Sequence, residues 1–178
     1  MRRVPVPFVV VAVVLLGLVA LGHPARGTVA QDDAAATAAH PAVGAWLLSD
    51  PAFPDDPPTL VVFHADGTYV QADTEDVGVG AWEATGERSL AVTFVVQFSD
   101  EAGATYAITI RATGEVDAGG DTFTATYTIE LTMPDGTSAG EYGPGSVEGT
   151  RIAVEPMGTP VGPIEDLFAQ FDEATPAA

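Results

Sequence analysis

"TFTATYTIELTM", Thr122 to Met133, sets Phe123, Ala125, Tyr127, Ile129, Leu131 and Met133 in alternation with Thr122, Thr124, Thr126, Thr128, Glu130 and Thr132. Successive side chains of a strand point to opposite faces, so this period of two makes one apolar, buried face and one polar, wet face. A helix, with its 3.6-residue repeat, would scatter the same residues around its circumference. The preceding run behaves alike: Tyr106, Ile108, Ile110, Ala112, Gly114 and Val116 alternate with Thr105, Ala107, Thr109, Arg111, Thr113 and Glu115. Between the two lies Asp117-Ala118-Gly119-Gly120, a tight turn that makes them an antiparallel hairpin.

The same alternation extends outward in both directions. It predicts strands over Val43–Ser49, Thr59–His64, Gly67–Asp73, Gly78–Ala84, Ser89–Phe98 and Ser146–Glu155. Turn residues separate most of them, at Ala65-Asp66-Gly67, Thr85-Gly86-Glu87, Ser99–Gly103 and Pro134-Asp135-Gly136. Links this short pair sequential neighbours antiparallel, and closing the sheet on itself removes its exposed edges. The expected fold is therefore all-β: an antiparallel up-and-down barrel of about eight strands. A two-sheet sandwich is the rival, but it needs longer crossings than most of these turns allow. Two longer loops are expected: the proline-rich Asp50–Pro58, suited to a fixed rim or lid over the mouth, and the glycine-rich Gly136–Gly145. Beyond Glu155, repeated Pro and Gly break the pattern. Ile164, Leu167, Phe168 and Phe171 then fall at helical spacing behind Pro163, with Glu165 and Asp166 in the first turn. This predicts a short tail helix whose apolar stripe docks on the outside of the sheet.

The 178 residues divide into residues 40–155 as the barrel, residues 156–178 as a Pro/Gly linker with the tail helix, and two segments before the barrel. Residues 1–30 read as a cleaved secretory signal: Arg2 and Arg3, then the apolar run Phe8–Leu21, then small residues at Thr28-Val29-Ala30. The run is shorter than the roughly 20 residues of a membrane span, which makes an amino-terminal anchor the lesser alternative. Residues 31–39, rich in Ala, Asp and Thr without periodicity, read as a flexible linker. The expected location is outside the cytoplasm. Cys, Lys and Asn are all absent. No disulfide or thiolate metal site is available, and the missing A-rich codons suggest a GC-rich bacterial genome.

All twenty-five Asp and Glu follow Gln31, against three Arg in the same region, for a net charge of −22 with His neutral. A field of that sign repels phosphate backbones and anionic headgroups, which argues against nucleic acid or a membrane surface as partner. A well-solvated, aggregation-resistant surface is the plain reading of the charge.

Gly44-Ala45-Trp46 on the first strand, with Arg151 on the last, resembles the Gly-x-Trp and Arg arrangement of the lipocalins and the wider calycin group. The resemblance covers Val43 to about Glu155; the family's Thr-Asp-Tyr element has no counterpart at Thr122–Tyr127. It implies an eight-stranded barrel in which Trp46 and Arg151 form a structural plug at one end, the guanidinium packing across the indole. It also implies a small, largely apolar ligand, bound without catalysis. On the inward face, Tyr69, Trp82, Phe94, Tyr106 and Tyr127 are the candidate ligand-binding residues, apolar walls with a few hydroxyl or indole donors. Trp82, in the second Gly-Ala-Trp, reads first as core or wall packing and second as a ligand platform. At Tyr69, the neighbours Thr68, Val70 and Ala72 compete for the inward face.

Catalytic residues are not assigned. No Gly-x-Ser-x-Gly elbow occurs, His40 falls at the linker's edge, and His64 with Asp66 sits in a turn. No cofactor or metal is assigned either; Asp50, Asp55, Asp56, Asp73, Glu75 and Asp76 could meet at one end of the barrel and hold calcium through carboxylate oxygens, but no EF-hand spacing is present. Two other functions stay open: a barrel packed solid by its own side chains and acting as a structural or interaction module, and a barrel isomerase of the allene oxide cyclase-like kind, with Tyr or Glu in the cavity. A void separates the first from the binding reading, and a buried carboxylate facing it would favour the second.

Overall fold

The computed structural model describes residues 35–174. The signal segment and the first part of the expected linker lie outside those residues. Eight strands follow in order: β1 (Gly44–Ser49), β2 (Thr59–Phe63), β3 (Thr68–Ala72), β4 (Val77–Ala84), β5 (Ser89–Ser99), β6 (Thr105–Val116), β7 (Thr122–Thr132) and β8 (Ser138–Arg151). Each pairs antiparallel with its sequence neighbours, and β1 pairs with β8, so the sheet is a closed up-and-down barrel. Closure leaves no strand edge to recruit another chain.

The strands are unequal. β2 and β3 have 5 residues each, whereas β8 has 14, so one side of the barrel stands taller than the other. The stretch Gly136–Gly145, expected as a loop, is largely strand: β8 begins at Ser138 and ends at Arg151 rather than running from Ser146 to Glu155. Its glycines allow this through register shifts against β7 between Tyr127 and Ile129 and again between Glu130 and Thr132, which break the alternation that reveals a strand in sequence. Further along, Gly145 and Gly149 lie opposite Tyr127 and Phe123, whose rings occupy the space a Cβ would need. The large residues of β7 thus pack over the bare backbone of β8.

Inward residues of the alternation form one core. Trp46, Val61, Phe63, Tyr69, Leu90 and Val116 are its most completely buried side chains. The outward faces of β2 and β4 carry exposed Leu60, Val77 and Val79. The tail helix, α1 (Ile164–Ala174), does not cover them: Ile164, Leu167 and Phe168 are themselves exposed. Residues 152–163, which carry three prolines, are exposed throughout, so beyond the Ile152 amide bond to the Ala45 carbonyl the connection has little burial to steer the helix back onto the sheet.

Residues 35–39, expected to be part of a flexible linker, form a helical turn on the barrel's end. Thr37 and His40 are buried there. His40 accepts a hydrogen bond at Nδ1 from the Ala42 amide and meets the Trp82 ring edge-on at 5.6 Å. Its buried Nε2 has no hydrogen-bond partner. Burial lowers the His40 pKa below the ordinary imidazole value, with the Ser89 and Gly86 backbone opposing that shift in part.

Candidate ligand-binding cavity

Strand direction divides the barrel into two ends. The turns after β2, β4 and β6 and the amino-terminal residues 35–43 gather at one end; the connections after β1, β3, β5 and β7 gather at the other. The first end is closed. Trp46, fully buried, donates its indole N–H to the Ala42 carbonyl at 2.8 Å and meets Phe123 edge-on at 5.1 Å. Arg151, its register partner on β8, places its guanidinium carbon 4.1 Å from the centre of the indole ring. The same guanidinium donates to the Val43 carbonyl at 3.0 Å, to the Gly120 carbonyl at 2.5 Å and to the Pro41 carbonyl. One side chain therefore ties the amino-terminal segment, the β6–β7 turn and the last strand together. Gly44 makes room for it: at φ 138° the position suits glycine, and a Cβ there would fall 2.6 Å from Arg151 Nη1.

Trp82 belongs to this closed end as well. It donates its indole N–H to the His64 carbonyl at 2.8 Å and meets Phe63 edge-on at 5.4 Å. Phe63 continues to Phe123 at 5.9 Å and to Tyr69 at 5.0 Å, and Tyr69 to Phe94 at 4.8 Å. This aromatic layer is the floor of a cavity of about 380 Å³ that opens at the opposite end. The volume falls within the roughly 300–1,000 Å³ typical of small-molecule sites. Leu90, Val92, Val96, Ile108, Ile110 and Ala112 line its walls, with Ala125 and Val147 across from them.

Of the five residues expected to touch a ligand, Tyr69, Phe94 and Tyr127 line this cavity; Trp82 and Tyr106 do not. Trp82 points inward but sits at the depth of the floor. Tyr106 stands at the outer tip of β6, stacked on Phe98 at 5.3 Å and donating to Asp100. Residues not singled out for ligand contact supply much of the lining: the aliphatic side chains of β5 and β6, and at the mouth Asp50, Phe53, Thr59, Gln71, Asp73 and Asp76.

The polar groups are graded by depth. Tyr69, 2 % exposed, donates to Gln71 Oε1 at 3.3 Å, and burial pushes its phenol up from the usual value. Nearer the mouth, Tyr127 donates to Asp50 Oδ2 at 2.8 Å; burial and the Asp50 carboxylate push its pKa up to about 12, so it stays a donor at neutral pH. Asp50 also accepts from the Ala52 amide at 2.7 Å, and Asp73 from the amides of Glu75 and Asp76. Among the described residues no three His, Asp or Glu side chains converge as a metal site would require, although four of the six acidic residues foreseen at one end do line the mouth. Among the described residues no Glu lines the cavity, and no carboxylate lies among the aliphatic side chains of its walls.

No family model, curated protein or solved structure matches the chain. The cavity has an aromatic floor, aliphatic walls, few donors and one open end: it can hold an apolar body and leave a polar group at the mouth.

Proposed function

We propose that this protein is an exported, lipocalin-like barrel that binds a small, largely apolar molecule without transforming it. The observation that supports this most is the cavity of about 380 Å³, sealed at the Trp46 end and open at the Asp50 end, with apolar side chains on its floor and walls. A barrel filled by its own side chains would leave no such space, which weighs against the packed structural module. The isomerase alternative asks for a carboxylate deep in the cavity; the carboxylates here stay at the mouth. The Arg151 contact with Trp46 and the Gly44 that accommodates it support kinship with the lipocalin-like barrels. Export rests on the amino-terminal sequence alone.

The test is titration of the mature protein with N-phenyl-1-naphthylamine, a neutral probe that brightens in apolar surroundings. Saturable binding to one site, with competition from other apolar molecules, is expected. Absence of saturable binding would overturn the reading in favour of a solid module.

A further inference from the structure

Among the described residues, the mouth of the cavity has carboxylates and no basic side chain. Asp50, Asp56, Asp73 and Asp76 all line it, while no Arg or His does. Every basic side chain of the barrel is committed elsewhere. Arg88 bonds Glu115 at 2.6 Å, at the closed end. Arg111 points outward from β6 to Glu130 at 2.8 Å and to Glu141 at 3.9 Å. Arg151 is held in the closed end by three carbonyls. His40 and His64 lie at that end too. A ligand whose apolar body fills the barrel therefore presents its polar end to negative charge that the described residues leave without a countercharge. Burying apolar surface holds the body, and the sign of the mouth selects the head.

Resting on the cavity reading above, we infer that the preferred ligand is an amphiphile with a cationic head: an apolar body in the barrel and an ammonium or similar group among Asp50, Asp73 and Asp76. Fatty acids and other anionic amphiphiles are the disfavoured class, because their carboxylate would sit against these aspartates with no Arg among the described residues to receive it. Tyr127 does not rescue an anion, since its hydroxyl already donates to Asp50. Phe53 and Tyr127 bring aromatic rings to the same mouth, a setting that suits a cation further.

Three molecules of equal chain length separate the possibilities: dodecylammonium, dodecanol and dodecanoate, each competing with N-phenyl-1-naphthylamine at low ionic strength. Dodecylammonium is expected to bind about tenfold more tightly than dodecanol, the size of one partly screened ion pair, with dodecanoate weakest. Asp50→Asn with Asp73→Asn, which keep the acceptor oxygens for their backbone partners, should bring the ratio of dodecylammonium to dodecanol affinity close to one. Glu83→Gln with Glu148→Gln, an equal loss of charge on the barrel's exposed outer face, should leave the preference intact and so exclude a mere effect of net charge. Dodecanol binding as tightly as dodecylammonium, or a preference untouched by the mouth variants, would overturn the cationic inference while the cavity reading stands. Failure of all three molecules and of the probe would overturn both.

Discussion

Removing the Arg151 side chain should loosen the whole closed end. Its guanidinium donates to the carbonyls of Pro41, Val43 and Gly120 and lies over the Trp46 ring. A hydrogen bond from a charged donor contributes about 1.5–3 kcal/mol net, and a stranded buried acceptor costs about 1–3 kcal/mol. The side chain is half-buried, so water reaches part of the vacated space in Arg151→Ala and the three bonds do not sum. One stranded carbonyl plus a cation–π contact of about 1 kcal/mol gives a loss of about 3 kcal/mol. For a domain of this size that lowers Tm by about 10 °C. Arg151→Lys keeps the charge but loses the planar fork, so it should still cost about 2 kcal/mol. Urea unfolding followed by tryptophan emission reads this directly, because Trp46 and Trp82 are 0 % and 4 % exposed and both shift to longer wavelength when the barrel opens. If both variants stay within about 0.5 kcal/mol of the parent, as ordinary surface substitutions do, the closed end does not depend on Arg151.

Trp46→Ala should cost about 3–5 kcal/mol by the same assay, as a large-to-small change in a packed core. Gly149→Ala places a methyl where the Phe123 ring lies and drives that ring toward Trp46 and Phe63, so a loss of about 1–3 kcal/mol is expected from overpacking. Ala112→Phe projects into open cavity rather than packed core; probe affinity should fall at least about tenfold with stability changed by less than about 1 kcal/mol, read by paired titration and urea curves. His40 has a folded pKa below its unfolded value of about 6.5, so the unfolded chain binds its proton more readily and the stabilisation by neutral His40 is lost as pH falls through that value. The stability advantage of the parent over His40→Phe should therefore shrink between about pH 7.5 and 5.5; an advantage independent of pH would show that His40 does not titrate in a buried site.

Period-two alternation made the barrel legible, since Phe123 to Met133 and Tyr106 to Val116 have no other economical reading and short turns leave closure as the way to hide edges. Alternation states which face a side chain occupies, not how far along the barrel axis it lies. Trp82 and Tyr106 show the difference: both follow the inward pattern, yet one falls at the depth of the floor and the other beyond the rim, because depth depends on register and on the unequal lengths of the strands. The start of β8 was hidden for a related reason, as glycines and two register shifts interrupt the pattern just where the strand begins. Burial of Thr37 and His40 has no periodic signature, being a single helical turn laid across the barrel's end. The gathering of Asp50, Asp56, Asp73 and Asp76 was readable from topology, because alternate connections of an up-and-down barrel meet at one end. That these aspartates border an apolar void follows only from how the β5 and β6 side chains pack.

The central claim, a ligand held inside the barrel, is tested most directly by intermolecular nuclear Overhauser effects between bound dodecylammonium and methyl-labelled protein. Contacts from the alkyl chain to Val92, Ile108 and Ile110, with none to the outward-facing Leu60, Val77 and Val79, are predicted. Contacts confined to the outward set, with the inner methyls silent at saturation, would contradict it.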